Sequence, residues 1–125
     1  MRGPPIVADT SIWIDHINNG NAELAAQLRR RRILLHPMIV GEIALGSIPN
    51  RQIVLEELKA LPAAPNVSHT EVIAMVEWLE LYNRGIGLVD CHLLASVKQV
   101  PDAKLWTRDK RLDAQAERLG IAYAP

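Results

Sequence analysis

Asp9, Glu42, Asp90 and Asp109 are the side chains whose types and placing could do chemistry. Asp9 ends the apolar run Ile6, Val7 and Ala8, and a new apolar pattern begins at Ile12, Trp13 and Ile14. Asp109 follows "KLWT" in the same way, and Asp90 follows "GIGLV" near the start of an apolar helix. Each aspartate has a modest role open to it, because an Asp before a helix satisfies free backbone N–H groups as an N-cap. Ser, Thr and Asn cap about as well, so an Asp at all three sites points past capping. Glu42 is harder to reduce to solvation. In a helix its neighbours are Met38, Ile39 and Leu45, so the carboxylate leaves from an apolar face, where an unpaired charge is costly to bury. It reaches solvent, pairs with an arginine, or turns into a polar pocket.

Carboxylates that crowd together repel, and some stay protonated unless a cation joins them. Repulsion alone would make the metal-free chain gain stability from about pH 7 toward about pH 5. Hard divalent cations take oxygen ligands, and Mg²⁺ uses few carboxylates and keeps several waters. Such a centre binds phosphate oxygens and activates water. Taken as a set, the acids point to metal-dependent chemistry on a phosphate ester.

The elements that position them alternate between strand and helix. Residues 6–8 and 103–107 read as short strands, and 33–36 as a third. Helices are expected over 10–18, 22–30, 37–46, 50–61, 68–85, 87–100 and 108–120, with a last strand at 121–124. Ser68 and Glu71 have the spacing of a capping box, and Val72, Met75, Val76 and Leu79 form the apolar face of that helix. Strands alternating with helices argue for an α/β fold with a mostly parallel sheet. In such sheets sites lie at the carboxyl ends of strands, which gives the acids a place to meet.

The chain of 125 residues has one domain's length, and its 49% hydrophobic and 22% charged residues are ordinary for a globular protein. Fourteen basic and fourteen acidic residues cancel, so any surface for nucleic acid is local. Cys91 is the one cysteine, which excludes an internal disulfide and a cysteine metal cluster. The opening "MRGPPIVADTS" lacks the apolar run of a signal peptide, and no stretch suits a bilayer span. A cytoplasmic setting with no membrane partner is the expectation.

Segment order and wording resemble PIN-domain ribonucleases, most closely toxins of the VapC type from prokaryotic toxin–antitoxin pairs, over essentially the whole chain, 1–125, as one domain. "VADTSIWID" (7–15) is similar to the family's opening strand with Asp9; "VGEIALG" (40–46) to the motif supplying Glu42; "GLVDCHLLASV" (87–97) to that supplying Asp90; and "LWTRDKRL" (105–112) to that carrying Thr107 and Asp109. Ser11 fits the small polar residue often found two places after the first acid, whereas Cys91 and His92 depart slightly from the pattern.

The resemblance implies a PIN-like α/β fold, with a short parallel sheet of about four or five strands between helices. It implies Mg²⁺- or Mn²⁺-dependent endonucleolytic cleavage of structured RNA, tRNA or rRNA. Asp9 and Asp90 would hold the metal most directly, Asp109 and Glu42 would complete the pocket, and Ser11 and Thr107 would orient carboxylates or waters. A cognate VapB-like antitoxin, whose carboxyl-terminal segment crosses the groove, and a toxin homodimer are implied as partners.

Arg108, Lys110 and Arg111 flank Asp109 and could steer RNA to the acids. Arg29 to Arg32 form either a solvated helix end or a phosphate-contacting patch. His16, His36, His69 and His92 form no ligand-like pair in sequence, and Trp13, Trp78 and Trp106 are expected to pack, Trp78 with Tyr82 having an alternative role on a partner surface. A receiver domain would need an acceptor Asp near mid-chain, where "NRQIVLEELKAL" has none. A PIN fold that binds RNA or protein without cutting is the remaining alternative.

Overall fold

The computed structural model describes residues 3–125, in the order β1 (Ile6–Ala8), α1 (Thr10–Asn19), α2 (Ala22–Arg29), β2 (Ile33–Leu34), α3 (Pro37–Leu45), α4 (Arg51–Lys59), α5 (His69–Trp78), α6 (Leu88–Lys98), β3 (Lys104–Trp106) and α7 (Lys110–Arg118). The sheet is parallel in the order β2-β1-β3, with Ile6 opposite Ile33 and Lys104. Ile6, Val7 and Ala8 are all buried, as a central parallel strand covered on both faces requires. Helix α6 lies against the sheet with Cys91 to Val97 continuously buried, so its apolar residues surround the axis rather than one stripe.

The α/β architecture agrees with the sequence, but the ladder has three strands rather than four or five. Two further segments make single parallel bridges, Leu35 with Ala63 and Leu105 with Ala122. Pro62 and Pro65 flank the first and have no amide to extend it. The last segment, expected as a strand at 121–124, is held by Leu105 N–H donating to the Ile121 carbonyl and Tyr123 N–H to the Leu105 carbonyl, at 2.7 and 2.8 Å.

Helix α5 stops at Trp78 rather than running toward residue 85. Glu80 adopts a left-handed φ of 52°, Glu80 N–H donates to the Glu77 carbonyl, and Leu81 N–H donates to the Val76 carbonyl. That is a Schellman closure, and it turns Leu81 into the core. Apolar periodicity through this segment therefore reports burial on both sides of a chain reversal. Trp13 and Trp106 pack as expected, but Trp78 is 86% exposed, which corrects the expectation that all three pack.

Candidate active site

Asp9 and Thr107 leave the carboxyl ends of the adjacent strands β1 and β3. Asp9 Oδ1 accepts the Ile12 N–H at 3.3 Å and the Ser11 hydroxyl, while Oδ2 accepts the Thr107 hydroxyl. Thr107 Oγ1 in turn accepts the Asp109 N–H at 3.0 Å, and Ser11 Oγ accepts the Arg108 N–H at 3.0 Å. One network thus joins the β1–α1 junction to the β3–α7 junction, across 98 residues of sequence. Burial raises the Asp9 carboxyl above its ordinary range, and the hydroxyl and amide donors pull it back down.

Asp90 lies in the first turn of α6, where its Oδ2 accepts the Gly87 N–H at 3.0 Å. Its carboxyl is raised by burial first, and then by repulsion from Asp109, Asp9 and Glu42. Asp90 therefore feels the other three acids singled out in the sequence, although the four come from four different helices or their caps. Asp109 is an N-cap as well, its Oδ1 accepting from Arg111 N–H and Leu112 N–H at 2.9 and 3.3 Å. Capping and clustering are not alternatives here. A carboxylate has two oxygens; in Asp90 and Asp109 one is spent on the helix, and the other has no hydrogen bond among the described residues. Glu42 reaches solvent on α3 and accepts the Thr10 hydroxyl at 2.6 Å.

Among the described residues no three His, Cys, Asp or Glu side chains close into a metal cage by themselves. The donor set is nonetheless all oxygen, and the other three carboxylates disfavour the charge on Asp90. It fits a hard divalent cation held by one or two carboxylates and completed by water.

The basic candidates divide. Arg108 is ion-paired to Asp15 at 3.2 Å, with the Arg side chain 60% exposed. Asp15 also accepts from Asn19 and Asn21, so it is held while it holds Arg108. Asp15 escaped notice in the sequence, although it lies one helical turn from Ser11 on the same face of α1. Arg111 crosses over Gly85, where a Cβ would come within 2.7 Å of Arg111 Cδ; Lys110 is exposed. The arginine run is placed elsewhere. The Arg32 carbonyl accepts the Ile6 N–H, at the amino end of the sheet, and its guanidinium bonds Pro4 O and Gln27 Oε1 beside the Tyr123 ring. Arg32 is a structural anchor at the end of the sheet opposite the acids.

The histidines, scattered in sequence, are partly gathered in space. His92 stacks on His69 with ring centroids 5.8 Å apart, and the His36 ring lies 6.5 Å from it, edge to face. His36 Nδ1 caps α3 by accepting the Met38 N–H at 3.0 Å. Its Nε2 and both nitrogens of His92 are buried without a partner among the described residues.

The PIN domain family profile matches residues 6–118. The chain is 44% identical over 119 residues to "Ribonuclease VapC32" of Mycobacterium tuberculosis, in strains CDC 1551 and H37Rv alike, covering 95% of this chain and 96% of the relative. Among solved structures it is similar to the crystal structure of PAE2754 from Pyrobaculum aerophilum, at a TM-score of 0.59 and 16% identity, over 91% of this chain and 81% of the other. At that identity the similarity speaks to the fold alone.

Proposed function

The chain belongs to the PIN domain family, and on that premise we propose that it is a metal-dependent endoribonuclease acting as the toxin of a toxin–antitoxin pair. One observation carries the reading: beside the carboxyl ends of parallel strands β1 and β3, the Asp90 carboxyl is raised by burial first and then by Asp109, Asp9 and Glu42, acids brought near it from three other elements. The full-length similarity to a relative named a ribonuclease supports it.

Asp9 and Asp90 would hold Mg²⁺ or Mn²⁺, with Glu42 and Asp109 completing the pocket through water. The cation, when bound, supplies positive charge to a phosphate oxygen and lowers the pKa of water. Ser11 and Thr107 fix Asp9 in one rotamer by donating to its two oxygens, as carboxylate ligands usually require. Arg108, which precedes Asp109 in the chain and is steadied by Asp15, would meet a backbone phosphate, and Lys110 adds local positive charge to a chain that is neutral overall. The substrate proposed is a structured RNA of translation, tRNA or rRNA, and the setting cytoplasmic. A homodimer is part of the same reading.

The test is cleavage of mixed structured RNA by the purified chain with chelator, Mg²⁺ or Mn²⁺. Metal-dependent internal cuts that vanish in Asp90→Asn support the reading. RNA bound but uncut under every condition supports the non-cutting binding module instead.

Asp90→Asn also reports through stability. It removes one repelling charge while its side-chain oxygen can still accept the Gly87 N–H. In chelator the mutant is expected to melt a few degrees above the wild type, and its gain from millimolar Mg²⁺ should shrink, since the ion stabilises only the state that binds it. Melting lower in chelator, with a full response to Mg²⁺, would reduce Asp90 to a cap.

The four acids also make a demand on the antitoxin. A segment lying across them is favoured if it brings an Arg or Lys, whose charge replaces the cation's. A structure of the complex should show that side chain among Asp9, Glu42, Asp90 and Asp109; apolar contacts alone over the pocket would refute this form of inhibition.

A further inference from the structure

We propose that Thr10 is a positioning residue for the acid cluster, its hydroxyl holding the Glu42 carboxylate toward the other three acids. This rests on the reading that the cluster binds a divalent cation. Thr10 is the first residue of α1, and its Oγ1 donates to Glu42 Oε1 at 2.6 Å across 32 residues of sequence. That length is typical of a hydroxyl bonded to an ionised carboxylate.

Glu42 makes no other hydrogen bond among the described residues and stands on the exposed side of α3. A Glu side chain so placed has several rotamers of similar energy, most of them directed to water. The Thr10 hydroxyl selects one of them and ties α3 to the β1–α1 junction, from which Asp9 emerges.

The hydroxyl has no competing duty in the helix. Asp9 is the N-cap and accepts the Ile12 N–H itself. The next residue, Ser11, turns its hydroxyl back to Asp9. Successive residues leave a helix about 100° apart, so consecutive hydroxyls serve two acids on two different elements. "DTS" therefore carries one acid and the donors for two.

The experiment is Mn²⁺ binding, followed by electron paramagnetic resonance on the RNA-free chain, for the wild type, Thr10→Val, Thr10→Ser and Glu42→Gln. Thr10→Val keeps the shape and removes the donor, and is expected to weaken Mn²⁺ binding about tenfold, the lower end for loss of a group supporting a ligand. Thr10→Ser restores the donor and should bind as the wild type does. Both variants should melt in chelator as the wild type does, which separates positioning from folding. Normal binding by Thr10→Val together with weakened binding by Glu42→Gln overturns the role of Thr10 alone. Normal binding by Glu42→Gln overturns Glu42 as part of the cation site, and the inference with it. Equal weakening in Thr10→Val and Thr10→Ser with lowered melting makes Thr10 structural and also overturns the proposal.

Discussion

RNA cleavage by the Asp9→Asn protein is expected to fall by more than about a hundredfold, beyond the loss usual for groups that merely support a metal ligand, with the fold retained. Asn keeps an oxygen for the Ile12 N–H and the Ser11 hydroxyl, which both bond Asp9 Oδ1. It puts an amide where Oδ2 now accepts the Thr107 hydroxyl, and it removes the negative charge. The charge is the part a cation needs, and the cap oxygen is the part the helix needs. Stability should therefore change little, since replacing one good N-cap by another costs only a fraction of the ~1 kcal/mol a cap contributes. Cleavage rates and melting curves measured on one preparation check both halves. Cleavage at the wild-type rate would make Asp9 a cap and nothing more.

Acidification from pH 6.5 to pH 5 should remove about 2 kcal/mol of the stability that His36 contributes. Its ring is fully buried, and burial, followed by the neighbouring His92, depresses it from 6.5 to about 4. In the folded state it stays neutral through that range, whereas the unfolded chain takes up a proton below pH 6.5. The stabilisation is thus complete above pH 6.5 and is lost as pH falls, levelling off near pH 4. Buried acids pull the other way. Asp9 and Asp90 are raised above 3.8, so the native state binds protons earlier than the unfolded chain and gains stability as they protonate. Their window opens upward from 3.8, while that of His36 opens downward from 6.5, so the two contributions oppose each other between these limits. His36→Asn tests the assignment, because Asn can also cap α3 in place of His36 Nδ1. The fall in urea midpoint from pH 7.5 to pH 5.0 should be smaller in this variant than in the wild type, with the depressed His92 retained in both. An unchanged difference would remove His36 as the source.

The sequence by itself determined the order of elements, because the local signals agree with the fold. Ile6 to Ala8 had to be a covered strand, Ser68 and Glu71 had to start a helix, and Pro37 could begin one but not continue one. It also singled out Asp9, Glu42, Asp90 and Asp109, since a carboxylate at the end of an apolar run is conspicuous in one dimension. What it left to the tertiary structure was set by contacts between residues distant along the chain. Whether "IAYA" makes a ladder or a single bridge depends on what lies beside β3. Whether Arg32 faces RNA or anchors Pro4 depends on which end of the sheet it reaches. Thr10 carries no mark of its bond to Glu42, and His36, His69 and His92 none of their meeting. Periodicity reports which face of an element is buried, because burial is an average over neighbours; a hydrogen bond or a depressed pKa depends on one particular neighbour, and only the folded chain supplies it.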